Sequence, residues 1–441
     1  MKYKLYTQLI LTGLLLINPV LHSKAKTTTI ELTLDKAVEM SLDFAHSIQK
    51  SEQITDQSRW LVREARSSAL PSIQVEGRWQ YNADIPSFGG FSLTNKYEYA
   101  STVQLNQALY TFGTISTAIE TANRTIELSL IQQDVARHEI AHEVHQAYFT
   151  AVLAKKQYEI AKDSLKNSKT NFAIFQEITR RGRAPQQDLI RLQADIASRR
   201  PQVEQAKSQY EQALINLKKL TGLIEHERTS IKLLTSFSNA NQLPSYDRSQ
   251  LYQKLHQDEP QLRSLGKNIK LQDSIAKANR ISNRPRLSAF ANKTFSATDN
   301  DTLFGSQQKL NSTAFGLALT WDIWDGGAKN ARYEQALVDR NIAILTKDQT
   351  KNQMQAVLGQ TIQNYESLKR VLPMTKESVE LAENSFRLSQ NRFRSGETTV
   401  TELNDAESLL TQAKVQKAMI YFEIHQSNAT IKRLTSQLNK Q

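Results

Sequence analysis

The chain is written twice. Pro71 and Pro285, Gly113 and Gly327, Phe172 and Phe386, Gly182 and Gly396, and the dipeptides Leu220-Thr221 and Leu434-Thr435 all recur at one offset of 214 residues, without a gap. Glycine and proline are scarce, 14 and 9 in 441 residues, so their agreement at one spacing marks an internal duplication. The fold must be built from two similar units, and so few turn formers require long elements. Residues 222–247, rich in Ser, Asn and charge, lie between the copies and read as a linker.

Each copy keeps the same internal order. Leading amphipathic helical segments, 26–70 and 248–284, stop at Pro71 and Pro285, because proline removes a backbone donor and clashes with the preceding turn. A strand pair is expected next, in 71–112 and 285–326. Ile73, Val75, Gly77, Trp79 and Tyr81 alternate with polar residues, as do Tyr97, Tyr99, Val103 and Leu105. Phe315, Leu317, Leu319, Trp321 and Ile323 repeat the pattern in the second copy, and Leu287 to Phe295 carries it most weakly. Period-two alternation gives a strand one apolar and one polar face. The runs are long enough for a tilted strand to cross a bilayer of roughly 30 Å. Trp79, Tyr81, Tyr97, Tyr99, Trp321 and Trp324 read as an aromatic girdle at the membrane interfaces. A soluble β-sandwich core is the competing reading; the polar second face and the shortage of further strands count against it.

Two long helical hairpins follow, 113–221 and 327–438. From Gly113 to Gly182 the helical run would reach on the order of 100 Å at ~1.5 Å per residue. The returning segments carry a heptad stripe, Leu189, Leu192, Ile196, Val203, Ala206, Tyr210, Ala213, Leu217 and Leu220, with Arg199 as its exception. The second copy repeats it from Leu403 to Leu434, with Lys417 and Ser427 as polar breaks. Such a narrow stripe packs as a coiled coil. Pro201 and Pro373 inside these helices predict kinks or short breaks.

Lys2 and Lys4 before an apolar run from Leu9 to Leu21, and the small residues around Ser23-Lys24-Ala25, predict a signal peptide over 1–25. The absence of cysteine excludes disulfides, thiolate metal sites and an acylated N-terminal Cys. Beyond the signal no apolar run reaches the length of a membrane helix, so a membrane can be spanned only by a β-barrel. The formal charge of +12 is spread among 44 acidic residues, and no aromatic-plus-basic module points to nucleic acid. Four strands cannot close a barrel, and a sheet with free edges is not viable in lipid. Several copies must share one barrel. The expected fold is therefore mostly α with a β membrane part: a duplicated helix–strand–strand–helical-hairpin unit whose homotrimer forms a 12-stranded β-barrel and a long α-helical barrel around a water-filled lumen.

The signal peptide, the duplicated plan and the glycine-marked turns resemble the TolC family of outer-membrane efflux proteins, in its non-lipidated branch, over about residues 30–438. The resemblance implies an outer-membrane channel reaching into the periplasm, the passive exit duct of a tripartite efflux or type I secretion system. It implies docking with a periplasmic adaptor (membrane fusion) protein and an inner-membrane pump of RND or ABC type, with no enzymatic activity, cofactor or metal. Carried over by position, Asp188, Glu402 and Asp405 would narrow the periplasmic aperture and favour cations. Acidic residues in a helix's first turn also complement its dipole, and that simpler role stays open. The turns, with Gly182 and Gly396 supplying the reversal, are crowded by Arg180, Arg181, Arg183, Arg392 and Arg394, read either as adaptor contacts or as a solvated cluster. The sequence departs from the family pattern at Thr398 and Phe393, where an arginine and a tyrosine are usual.

Two rival readings remain. His138-Glu139-Ile140-Ala141-His142 is a literal H-E-x-x-H, the signature of an exported zinc-dependent peptidase. Against it, Glu143, His145 and Glu159 do not match the usual spacing of a third ligand, and the second copy has Asn352-Gln353-Met354-Gln355-Ala356 in that place. A periplasmic coiled-coil adaptor would share the hairpin, but would not carry two at a constant offset.

Overall fold

The computed structural model describes residues 28–89, 91–92, 94–180, 185–225, 229–234, 243–299 and 308–438. The predicted signal peptide and the turn residues Arg181, Gly182 and Arg183 lie outside the described residues.

The duplication is visible element by element. The first copy opens with β1 (Thr28–Leu32), α1 (Leu34–Phe44) and α2 (His46–Ser67). After Pro71 come β2 (Ser72–Tyr81), the short β3 (Ser87–Phe88) and β4 (Phe91–Ser92), and β5 (Tyr97–Tyr110). The hairpin is α3 (Thr114–Arg180) and α4 (Gln186–Leu220), and β6 (Thr229–Leu233) follows. The second copy runs through α5 (Arg248–Asp258), α6 (Pro260–Ile281), β7 (Arg286–Asp299), β8 (Gln308–Thr320), α7 (Ala328–Ser395) and α8 (Val400–Leu434). The leading helices break at Ala45 and at Glu259, one repeat offset apart, with ψ 117° at each. Both long helices start just after a glycine that only a left-handed conformation fits, Gly113 at φ 93° and Gly327 at φ 88°.

β2, β5, β7 and β8 form one antiparallel sheet in that order, leaving β2 and β8 as free edges. The register puts Ile73, Leu105, Ala291 and Phe315 in one row, and alternation then separates two faces. One face carries Ile73, Val75, Leu317 and Leu319, all exposed. The other carries Glu76, Gln104, Asn106 and Asn292, and the hydroxyls of Thr102 and Thr294 meet across it at 3.1 Å.

Residues 229–233, inside the stretch read as linker, instead form a strand. β6 pairs in parallel with β1, in register from Thr28↔Thr229 to Leu32↔Leu233. Ile231 and Leu233 are buried with Leu32 in the larger hydrophobic core, which binds α1 and α5 to the middles of α3 and α7 and the C-terminal half of α8. The alternation in this strand is only five residues long and sits among polar neighbours, so periodicity alone could not reveal it.

α3 spans 67 residues and α7 68, and each packs along its returning partner. α3 also packs on α8, joining the two hairpins. The expected breaks at Pro201 and Pro373 do not occur: α4 and α7 continue through both prolines. Each proline removes one backbone hydrogen bond, and packing on either side holds the helix together. Leu372, Thr375 and Val379 are buried around Pro373, and Ile196 and Arg199 lie just before Pro201.

Candidate channel aperture

The far ends of the hairpins form a second core. Phe175, Leu192, Phe386, Phe393, Val400 and Leu403 are buried together there. Phe393 is 2% exposed and stacks on Phe175 with ring centroids 5.4 Å apart. An aromatic ring without a hydroxyl suits this dry position.

α7 ends in a tight reversal. Gly396 adopts φ 81°, and the Glu397 amide donates back to the Arg392 carbonyl at 2.8 Å. The Arg392 guanidinium donates to the Glu397 carbonyl, fastening the same turn. Thr399 caps α8 by accepting from the Glu402 amide at 3.2 Å. The Thr398 hydroxyl donates to the Glu402 carboxylate, so that carboxylate is held at the turn by Thr398. Asp405 lies about one turn further along α8 and is exposed.

α4 begins after Pro185, with Asp188 half-buried in its first turn. α4 and α8 meet at two levels. Near the tip the Arg191 guanidinium donates to the Thr401 hydroxyl at 2.9 Å. Further in, Arg199 lies 3.6 Å from Glu407. Asp188, one turn before Arg191, and Glu402, next to Thr401, therefore stand at the same end of the molecule. Arg180 is exposed and paired with Glu177 at 3.1 Å, and Arg394 is exposed.

The second level is a buried polar cluster that the sequence showed only as an exception in an apolar stripe. Arg199 donates to Asp195 at 2.8 Å and to Ser164, while Ser168 donates to Asp195 at 2.7 Å. Glu407 is 1% exposed and accepts from Ser164 at 3.3 Å. Burial raises the Glu407 carboxyl to about 7; the Asp195 charge adds to the rise and Arg199 opposes it. Arg199, the charged exception in the first stripe, was the available signal; Glu407 lies one residue past the stripe position Ala406 and carried none.

The HEIAH segment lies within α3. Gln146 meets the His142 Nε2, and the Nδ1 atoms of His138 and His142 are buried without a hydrogen-bond partner. Burial lowers both imidazoles, His142 to about 4; the positive charge of Arg433 lowers them further, while at His138 the Asp134 carboxylate opposes the fall. Among the described residues no group of three His, Cys, Asp or Glu side chains is gathered to hold a metal.

The aromatic residues fall into two levels. Trp79 pairs with Tyr99 and Tyr81 with Tyr97 at the loop end of the sheet, the latter rings 5.4 Å apart. Trp321 and Trp324 lie just past β8 at the helical end, where the Trp321 indole donates to the Asn283 carbonyl at 2.9 Å. From Tyr99 to Tyr110 along β5 is on the order of 37 Å at ~3.4 Å per residue. At a tilt of ~40° that projects to roughly 28 Å, near the thickness of a bilayer's hydrocarbon.

A narrow sheet with two free edges, an apolar face between two aromatic levels and a polar reverse, carried on hairpins of about 100 Å, defines a channel-forming subunit with a long helical extension. The chain belongs to the outer membrane efflux protein family, whose profile matches residues 37–223 and 251–437, one stretch in each copy. It is 24% identical over 305 residues to the alkaline protease secretion protein AprF of Pseudomonas aeruginosa, a match covering 68% of this chain and 62% of that protein. The match therefore spans less than two thirds of that relative's own length. The fold is that of solved channels: CusC, with a TM-score of 0.75 at 15% identity and 91% of each chain covered. The Campylobacter jejuni CmeC outer membrane channel also gives 0.75, at 17% identity, with 92% of this chain and 85% of that one covered.

Proposed function

We propose that this protein is the passive outer-membrane exit duct of a tripartite efflux or type I secretion system, a homotrimer with no chemistry of its own. The observation that carries the reading is the four-stranded sheet with unpaired β2 and β8 edges and one apolar face. Lipid does not tolerate open edges, so β8 of one copy pairs with β2 of the next until a barrel closes, and three copies supply twelve strands. The polar face then lines a wet lumen. The helical hairpins continue that lumen into the periplasm. AprF is by name an alkaline protease secretion protein, which supports protein export as one task of such a duct. In the proposal the cargo is moved by an inner-membrane pump of RND or ABC type through a periplasmic adaptor.

In this reading Asp188, Glu402 and Asp405 ring the periplasmic mouth, and the arginines of the turns, Arg180, Arg181, Arg183, Arg392 and Arg394, meet the adaptor. Trp79, Tyr81, Tyr97, Tyr99, Trp321 and Trp324 sit at the two membrane interfaces. Light scattering and negative-stain imaging of the detergent-extracted protein test the assembly. A three-fold particle on the order of 140 Å long supports it, being the sum of helices of ~100 Å and tilted strands. A compact monomer that stays in solution without detergent overturns it.

A further inference from the structure

Two lysines stand on the apolar face of the sheet, where a membrane protein is expected to carry none. The rows are fixed by register: Val75, Val103, Lys293 and Thr313 share one, and Trp79, Tyr99, Ala297 and Lys309 share another nearer the loops. Between them runs the row of Gly77, Ser101, Phe295 and Asn311. Small residues in these rows, Gly77, Ser101 and Ala297, leave a groove of about 630 Å³ across all four strands. Trp79, Tyr99 and Phe295 wall it, and Lys309 lies at its rim. Lys293 leans toward it, its ammonium 5.3 Å from the Phe295 ring centroid. Both lysines are exposed, and among the described residues no carboxylate pairs with either.

Their depth is set by the strands. At ~2.6 Å of height per tilted residue, Lys293 stands roughly 18 Å and Lys309 roughly 29 Å above the helical end of the sheet. An outer-membrane apolar band is ~25 Å tall, so Lys293 snorkels up to the interface furthest from the helices and Lys309 stands in it. A lysine facing hydrocarbon there is costly unless its charge is met.

We propose that this groove seats the headgroup of a phosphate-bearing lipid of net negative charge in the leaflet at the loop end. The ammonium groups of Lys293 and Lys309 meet the phosphate, and the first acyl carbons lie over Gly77, Ser101 and Ala297 between the aromatic walls. The inference rests on the membrane placement proposed above. An occupant of this kind fits both features: apolar walls continuous with the lipid face, and two unpaired cations at headgroup height.

Trp79 reports on the groove directly. The assembled protein is placed in nanodiscs containing dibrominated phosphatidylglycerol or dibrominated phosphatidylcholine, and the Trp79 signal is isolated by difference against a Trp79→Phe variant. The anionic lipid should quench Trp79 more strongly, with a local enrichment of roughly five-fold per lysine, which corresponds to about 1 kcal/mol each. K293Q/K309Q should erase the preference, while K293R/K309R, keeping the charge, should retain it. Equal quenching by the two lipids in the unaltered protein, or a preference that survives K293Q/K309Q, overturns the inference. Trp324, 85% exposed at the opposite interface, separates the two readings. If Trp324 is quenched and Trp79 shows no preference, only the lipid seat falls. If neither is quenched by either lipid, the membrane placement falls and the seat with it.

Discussion

Glu407 is a carboxylate whose surroundings work against its charge, as those of Glu259 do. Its folded-state value is raised to about 7 from an ordinary 4.5, so between those limits the folded protein holds a proton that the unfolded chain releases. The stability this group contributes is complete below about pH 4.5 and is lost as pH rises through 7. Glu407→Gln keeps the acceptor for Ser164 without the charge. It should therefore melt higher than the unaltered protein at pH 8, by an amount equivalent to about 1–3 kcal/mol, and at the same temperature near pH 4.5. Thermal melts across that window decide it; parallel curves would mean that Arg199 holds Glu407 ionised throughout. The histidines act in the opposite sense. His142, His145 and His425 are depressed to about 4, chiefly by burial, with Lys432 lowering the last two and Arg433 the first. Their share of stability is present above pH 6.5 and is lost as pH falls toward 4. His145→Gln should reduce that acid-side loss, read from the same melts.

At the hairpin tips, ring packing and one left-handed glycine hold the turn. Phe393→Ala empties a fully buried site against Phe175 and should cost about 3–5 kcal/mol of local stability. Hydrogen exchange should show the end of α7 and the start of α8 fraying first, with the larger core unaffected; uniform loss through both cores would contradict a separate tip. Gly396→Ala places a Cβ at φ 81° and should cost about 1–2 kcal/mol in the same segment. These turns also show what could be read in advance. Gly396 and the duplication were legible because glycine is rare here and its backbone role has few substitutes. The strands showed because one face is apolar over their whole length. The β1–β6 pair did not, since five residues among polar neighbours carry too little periodic signal. Nor did continuity through Pro201 and Pro373, because the proline penalty is local while the compensating packing is tertiary. The Arg199–Glu407 contact was hidden for the same reason: the heptad marks Arg199 as an anomaly, but its partner lies on the other returning helix.

Seen as one subunit of a closed ring, the chain brings its acidic residues to one end by geometry rather than by local design. Asp188 and Glu402 occupy matching places in the two copies, and Asp405 has Arg191 in its place. Each would suit a helix N-terminus in any protein. What separates an aperture from an ordinary helix start is the contact between α4 and α8 through Arg191 and Thr401, which sets both starts side by side. Three copies would then place nine carboxylates around one axis, and a narrow mouth lined by them excludes anions at low salt. The variant Asp188→Asn/Glu402→Gln/Asp405→Asn removes that charge while keeping size and shape. In planar bilayers it should lower the cation-to-anion permeability ratio by roughly ten-fold at 0.1 M salt, and the difference should shrink at 1 M as screening takes over. If these carboxylates serve only the helix dipoles, selectivity should stay unchanged while the melting temperature falls, because each dipole contact is worth ~0.3–1 kcal/mol to folding and nothing to an ion in transit.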